Sequence, residues 1–262
     1  MNKKKILVVR KMSALEFYYD GNHQSADLRE SKDEQDGNVK KILEKLQKAG
    51  FSYKVVTRRD LTESLVESYD FVFSLGGDGT VIATAAFNKD KPQLNIRIDV
   101  KSNGNLCYSP EKAIESFLAG EYKIEEWTRQ DIFLDGKFIG RALNETAVGE
   151  NLDFTKMARY NLKADRETDY HKDSGIIIVT GTGSTGWPGA FKPYSRKSKI
   201  FKFLTILPCE GRKRGSGNHF EIEYKGHEGK FTIDTAKHDL PRDSLLKIKL
   251  SENPLKVIKP RK

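Results

Sequence analysis

A five-residue apolar run, Phe71-Val72-Phe73-Ser74-Leu75, ends directly in Gly76-Gly77-Asp78-Gly79-Thr80. A short aromatic-rich segment closed by glycines reads as a buried strand that turns sharply at its end. The residues that follow, Val81 to Phe87, have a helical pattern. Strand, glycine turn and helix in that order form a unit of an open α/β sheet, in which ligands bind outside the strand ends. Gly76, Gly77 and Gly79 let the backbone approach a phosphate closely, and Asp78 leaves a single carboxylate in a tight site. The first amides of the helix, with Thr80, aim at the same place, where anions bind readily. Phosphoryl transfer to a hydroxyl suits this arrangement, with Asp78 orienting or deprotonating the nucleophile. Taken alone, the pentapeptide is also a glycine turn whose Asp or Thr caps a helix.

The surrounding sequence extends the α/β pattern. Ile6 to Val9 reads as a buried strand, and Asn38 to Gln47 as an amphipathic helix with Val39, Ile42, Leu43 and Leu46 on one face, ended by Gly50. Tyr53 to Thr57 is a second strand, Phe71 to Leu75 a third and Leu94 to Ile98 a fourth. This alternation predicts a parallel sheet with helices on its faces. Asp20 to Asp36 is polar and poor in apolar residues, which predicts a mobile loop. Ser109-Pro110-Glu111 starts a further helix that ends near Gly120.

Beyond this helix the texture changes. Ile132 to Ile139 predicts a hairpin around Asp135-Gly136. Ala142 to Val148, Tyr160 to Ala164, Ile176 to Thr180, Phe203 to Leu207, Phe220 to Tyr224, Phe231 to Asp234 and Leu245 to Leu250 read as strands. The fold class predicted is α/β plus all-β: a Rossmann-like α/β domain over 1–105, then a β-sandwich domain over 106–262 whose C-terminal tail is free to pack back on the first.

Two further motifs lie in the β region. Asn144 and Glu145 place an amide and a carboxylate side by side, and both can serve a ligand only near a strand end, edge or bulge. An amide can read a purine edge and a carboxylate can accept from ribose hydroxyls. Thr180-Gly181-Thr182-Gly183-Ser184-Thr185-Gly186-Trp187 follows an apolar strand and offers hydroxyls and bare backbone amides. Singly, the first motif is also an ordinary surface pair and the second a flexible linker. Trp187 reads equally as core or as a ligand platform.

The chain has 262 residues, with 46 Lys and Arg against 37 Asp and Glu, a formal charge of +9 that favours an anionic partner. Charge alone does not choose among nucleotide, polyphosphate, nucleic acid and membrane surface. The runs Lys3-Lys4-Lys5, Arg212-Lys213-Arg214 and Lys259 to Lys262 read as solvated surface, so neither nucleic acid nor membrane is expected as a partner. Cys107 and Cys209 have no metal-ligand spacing and predict two reduced thiols. No apolar stretch is long enough to span a membrane and no signal-peptide core is evident, so the expected location is cytoplasmic.

The glycine loop, the Asn-Glu pair and the TGTGS-type loop, in this order, resemble the NAD kinase family over nearly the whole chain. The resemblance is nearest to its mitochondrial-type branch, through Arg58-Arg59-Asp60-Leu61-Thr62-Glu63, Gly104-Asn105-Leu106-Cys107, Ala142-Leu143-Asn144-Glu145 and the Thr180 to Trp187 loop. It implies two domains with the active site in the cleft between them. It implies that Asp78 activates the adenosine ribose 2′-hydroxyl of NAD, with Gly77, Gly79 and Thr80 beside the donor phosphates. Asn144 and Glu145 would hold adenosine, Thr182, Gly183, Ser184 and Thr185 would line the nucleotide cleft, and Tyr108 would pack on adenine. Ser174, or Asp173 before it, stands where most members have an Asp that contacts the nicotinamide amide. ATP or polyphosphate as donor, a divalent metal such as magnesium carried mainly by nucleotide phosphates with no protein metal ligands, and a homodimer are also implied.

The chain departs from the family pattern in Asn95-Ile96-Arg97 and in the basic segment from Pro188 to Gly217. A lipid kinase of the diacylglycerol or sphingosine type shares the GGDGT loop but has no need of the other two motifs. A non-catalytic dinucleotide sensor on the same scaffold is the other alternative.

Overall fold

The structure is a computed structural model that describes residues 4–18, 26–98, 104–153, 155–187 and 189–261. Lys3, residues 20–25 of the expected loop, Pro188 and Lys262 lie outside the described residues. The chain divides into two compact units, Met1–Glu126 with Leu255–Lys262, and Trp127–Pro254.

The first unit is built on a six-stranded sheet of order β2-β1-β3-β4-β18-β5. Its strands are β1 (Lys5–Arg10), β2 (Ser52–Thr57), β3 (Phe71–Leu75), β4 (Gln93–Ile96), β5 (Tyr122–Trp127) and the chain's last strand, β18 (Leu255–Pro260). The pairs β1–β2, β1–β3, β3–β4 and β4–β18 are parallel. Among the described residues five α-helices accompany it: α1 (Ala14–Tyr18), α2 (Ala26–Lys48), α3 (Glu63–Glu67), α4 (Asp78–Phe87) and α5 (Pro110–Leu118). Alternation along β1 sets the two faces. Ile6 and Val8 join Val39, Ile42 and Leu46 of α2 and Ala113, Ile114 and Phe117 of α5 in one core. Leu7 and Val9 join Leu61 and Val66 on the other face.

Several sequence expectations change here. Residues 26–36 are helix, not mobile loop, because α2 begins at Ala26. That stretch carries few apolar residues, so no stripe marks it, but Glu, Lys, Gln and Arg are good helix formers and Lys32 pairs with Asp36 one turn on. The first unit also runs on to Glu126 instead of stopping at 105. Phe117 explains this, since its ring lies 4.9 to 5.7 Å from those of Phe73, Phe71, Phe51 and Tyr122 and ties α5 and β5 to the sheet. The Arg58 to Glu63 motif is a capped turn. Asp60 accepts from the Thr57 N–H at 2.9 Å, and Thr62 caps α3 by accepting from the Leu65 N–H at 3.1 Å.

The second unit has two six-stranded sheets, β10-β9-β14-β17-β6-β7 and β13-β12-β11-β8-β15-β16. In chain order the strands are β6 (Gln130–Leu134), β7 (Lys137–Ala142), β8 (Glu145–Glu150), β9 (Ala158–Ala164), β10 (Glu167–Asp173) and β11 (Gly175–Val179). They continue with β12 (Phe201–Ile206), β13 (Arg214–Gly217), β14 (His219–Tyr224), β15 (Gly229–Ile233), β16 (Ala236–Leu240) and β17 (Leu245–Leu250). All the strand pairs described in this unit are antiparallel. One core joins the sheets, with Tyr160, Leu162, Phe220 and Ile248 from the first and Ile176, Ile178, Phe203 and Phe231 from the second. The outward face of β11 is covered as well, by Phe191, Trp187 and Tyr194 around Ile177 and Val179, which is why that strand is apolar at every position after its glycine. The expected strand Ala142 to Val148 is broken: β7 ends at Ala142, Leu143 and Asn144 form a bend, and β8 starts at Glu145. Among the described residues no helix is long and apolar enough to cross a membrane.

Candidate functional site

In the first unit every residue of β3 is buried, and the chain leaves it through Gly76, whose N–H donates to Ile96 O at 2.9 Å. A Cβ on Gly76 would lie 2.2 Å from Thr80 Oγ1, so only glycine lets the helix start this close to the strand. Gly77 is the N-cap of α4, and its carbonyl accepts from Thr80 N–H at 2.9 Å and Val81 N–H at 3.2 Å. Asp78 is the first residue of the helix, and half-buried. Its Oδ1 accepts from the Leu106 N–H at 2.9 Å. Gly79 is exposed, with open space around the position of a Cβ. Nothing among the described residues demands a glycine there, although glycine costs a helix about 1 kcal/mol against alanine.

Beneath this loop lies a buried amide network. Asn95 Oδ1 accepts from Ser74 Oγ and from Gln93 Nε2, both at 2.9 Å, and Asn95 Nδ2 donates to Leu106 O at 3.2 Å. Leu106 is therefore held through its carbonyl by Asn95 while its N–H holds Asp78. Tyr108 bridges to β4, with its N–H donating to Asn95 O at 2.9 Å, and its half-buried ring packs against the core of this unit. Cys107 is half-buried and its thiol donates to Gly76 O at 3.7 Å; Cys209, in the second unit, is exposed, and neither is in a disulfide.

In the second unit the Asn-Glu pair and the TGTGS-type loop meet. Thr180 Oγ1 donates to Leu143 O at 2.6 Å and accepts from the N–H groups of Thr182 and Gly183, both at 3.1 Å. Thr180 N–H donates to Asn144 O at 2.8 Å. A Cβ on Gly183 would lie 2.2 Å from Asn144 O, so the loop can lie on the bend only because glycine stands there. Ser184 Oγ donates to Gly181 O at 2.7 Å and Thr185 Oγ1 to Thr182 O at 3.0 Å, which engages both hydroxyls inside a short 3-10 turn. Three polar atoms of this cluster stay buried with no partner among the described residues: Asn144 Oδ1, Glu145 Oε2 and Thr182 Oγ1.

Asp234 anchors the bend. Its Oδ2 accepts from Leu143 N–H at 2.9 Å, and its Oδ1 from Asn144 N–H at 2.8 Å and Glu145 N–H at 3.2 Å. Burial pushes the Asp234 carboxyl up to about 6, against the pull of those amides and of the Arg129 charge. Burial, with the facing Asp234, also pushes Glu145 up to about 7, while a hydrogen bond with Trp187 pulls it down. Arg129 is itself buried, which lowers it to about 9.

Ser174 does not join this cluster. It sits before the first residue of β11 while Thr180 follows the last, roughly 20 Å away at about 3.3 Å per strand residue. Asp173 is built into the fold, accepting from Tyr160 Oη at 2.7 Å and from Gly175 N–H at 2.8 Å, with His171 Nδ1 at 3.5 Å. Sequence reasoning missed Asn95 as the support of Leu106 and Asp234 as the anchor of the bend. An Asp following the apolar run Phe231 to Ile233 was the one visible signal for the latter.

No family model matches the chain. The chain is 28% identical over 221 residues to an NAD kinase of Chlorobium phaeobacteroides strain BS1, covering 75% of this chain and 74% of the relative. It is 26% identical over 200 residues to human mitochondrial NAD kinase 2, covering 57% of this chain and 45% of the relative. The chain thus spans about three quarters of the bacterial relative and about half of the mitochondrial one. Among solved structures, an Archaeoglobus fulgidus NAD kinase in complex with ATP has a TM-score of 0.73 at 23% identity, covering 98% of this chain and 94% of that one. Yeast NADH kinase complexed with NADH has a TM-score of 0.76 at 13% identity, covering 99% of this chain and 84% of that one. Both structures share the fold.

Proposed function

We propose that this chain, which belongs to the NAD kinase family, transfers a phosphoryl group from ATP to the 2′-hydroxyl of the adenosine ribose of NAD, giving NADP. The observation that carries the reading is the set of unpartnered buried atoms on Asn144, Glu145 and Thr182. Left unmatched, each costs about 1 to 3 kcal/mol, so the cluster favours a ligand that supplies the missing donors and acceptors. Adenosine does so: its exocyclic amine donates to Asn144 Oδ1, and its ribose hydroxyls serve Glu145 Oε2 and Thr182 Oγ1.

In this reading Asp78 takes the proton of the 2′-hydroxyl as that oxygen bonds to the terminal phosphorus of ATP. The bond from that phosphorus to the bridging oxygen breaks and ADP leaves. The Leu106 N–H holds one oxygen of Asp78 and so aims the carboxylate. The first amides of α4 and the bare Gly79 receive the donor phosphates.

Asp78 is the one carboxylate of the glycine loop. A single carboxylate suits magnesium carried mainly by the nucleotide phosphates, and Asp78 would be the residue that helps to hold it. Such an ion supplies charge neutralisation on the phosphates when bound. Two cysteines outside any disulfide suit a reducing compartment such as the cytoplasm, and the family resemblance implies a homodimer, which light scattering on the purified chain tests.

The test of function is NADP formation from NAD, magnesium and ATP, read with a coupled dehydrogenase; a parallel arm replaces ATP with polyphosphate. Asp78→Asn should lower turnover by about a hundred- to ten-thousand-fold and leave NAD binding intact, because Asn keeps the shape but takes no proton. A near wild-type rate would remove Asp78 from the mechanism. Diacylglycerol and sphingosine should be inert as acceptors, and their phosphorylation at the rate of NAD would make the chain a lipid kinase. Tight NAD binding with no NADP from either donor would make it a sensor.

A further inference from the structure

Asp234 lies at the tip of the hairpin between β15 and β16, with a left-handed φ of 51° that an aspartate tolerates. From there its carboxylate takes three consecutive backbone amides, those of Leu143, Asn144 and Glu145, and its own N–H donates to Glu145 O at 2.9 Å. Successive amides of a regular strand point to alternate sides, so three that converge on one carboxylate require a curled backbone. The curl ends β7, delays β8 until Glu145, and lets two neighbouring side chains serve one ligand. An uninterrupted strand would send them to opposite faces.

We propose that Asp234 is a positioning residue of the nucleotide site, which curls the Leu143 to Glu145 bend so that Asn144 and Glu145 meet adenosine together. The inference rests on the functional reading given above. Asp234 touches no substrate in it and acts through the backbone. Two charged groups face it, Glu145 on the bend and the buried Arg129, which follows β5 in sequence. The three amides, and after them the Arg129 charge, favour the ionised carboxylate against the burial that raises it. Arg129 Nε itself donates to Asn253 O at 2.8 Å.

The same device recurs without a site. Asp165, at the tip between β9 and β10 with φ 51°, accepts from the N–H groups of Asn218 and His219, both at 3.2 Å. Asp165→Ala therefore controls for the structural cost of losing a hairpin-tip carboxylate.

The test compares the wild type with Asp234→Ala, Asp234→Asn and Asp165→Ala by kinetics, by calorimetry with NAD, and by amide hydrogen exchange. Asp234→Ala should raise KM and Kd for NAD by on the order of tenfold or more, leave KM for ATP unchanged, and expose the amides of Leu143 to Glu145 to exchange while those of β11 stay protected. Asp234→Asn keeps one acceptor oxygen for two of the amides, so it should recover part of the NAD affinity. It also removes the negative charge facing Glu145, which should move the acidic limb of the NAD-affinity profile to lower pH. Asp165→Ala should lower stability and leave both KM values alone.

Unchanged NAD affinity in Asp234→Ala, an equal rise in the ATP constant, or the same KM pattern from Asp165→Ala would overturn the proposal. Should the alanine variant not fold, Asp234→Asn decides: weaker NAD binding with the acid shift supports the role, and their absence refutes it. A wild type that binds NAD without forming NADP refutes the kinase reading, while calorimetry still decides the role of Asp234. A wild type that binds no NAD refutes both.

Discussion

Glu145→Gln should stabilise the unliganded chain above neutral pH while weakening its hold on NAD. Burial first, then the facing Asp234, pushes the Glu145 carboxyl from 4.5 up to about 7. Below 4.5 the side chain is neutral in the folded and unfolded chains alike, and it carries no penalty. As pH rises through 7 the folded chain must bear a charge that it disfavours, so stability is lost across that window. A rise from 4.5 to about 7 corresponds, at about 1.4 kcal/mol per pH unit, to roughly 3 kcal/mol. Water reaching the half-buried side chain lowers this to about 1 to 2 kcal/mol. Glutamine keeps the shape without the charge. Of the two tryptophans, Trp187 lies within the second unit and Trp127 is its first residue, at the end of β5, so urea unfolding followed by tryptophan fluorescence reads mainly the second unit. The unfolding midpoint of Glu145→Gln should exceed that of the wild type at about pH 8.5, and the difference should shrink to a few tenths of a kcal/mol at about pH 4.5. In the same variant KM for NAD should rise at least tenfold, the loss of one charge-assisted hydrogen bond at about 1.5 to 3 kcal/mol. An equal effect on stability at the two pH values, or a loss at the higher one, would show that the buried charge of Glu145 is not what the fold bears.

Asn95→Ala should lower kcat by roughly tenfold with little change in KM for NAD, because Leu106 loses its carbonyl anchor and its N–H no longer aims Asp78; an effect on KM alone would refute this. Ser174→Ala should change the preference between NAD and NADH by less than about 1.4 kcal/mol, since Ser174 stands at the opposite end of β11 from the nucleotide cluster and is neutral; a larger change, measured as the ratio of kcat/KM values, would place the nicotinamide beside it.

The fold was legible wherever one period dominated. Ile6 to Val9, Phe71 to Leu75 and Ile176 to Val179 are apolar almost without break because both their faces are covered, by helices in one unit and by a second sheet and a loop cluster in the other. Asp135-Gly136 announced its hairpin because both residues need the left-handed region, with φ of 48° and 81°. The first turns of α2 were not legible, since propensity and an ion pair hold them instead of an apolar stripe. Strands β10, β13 and β16 were missed for a related reason. They stand at sheet edges, and their sequences ETDYHKD, RGSG and AKHDL are polar enough to pass for loop.

For the site, residue types could be read, but the state of each atom could not. The hydroxyls of Thr182, Ser184 and Thr185 are chemically alike in sequence, yet two are engaged within the 3-10 turn and only that of Thr182 stays unpartnered. Asp135, Asp165 and Asp234 are likewise three hairpin-tip aspartates with φ near 50°, and each accepts backbone amides from a distant segment. Nothing local tells them apart. What distinguishes Asp234 is the segment that it captures, which lies some ninety positions earlier in the chain and carries Asn144 Oδ1 and Glu145 Oε2, buried with no partner among the described residues. If Asp234 acts as proposed, a turn residue of ordinary type acquires its functional role through its partner alone. The glycines sort by the same test. Gly76 and Gly183 answer a close approach within the protein, at 2.2 Å in each case, whereas Gly79 answers none, and the phosphate it leaves room for is the reason the reading gives for its presence.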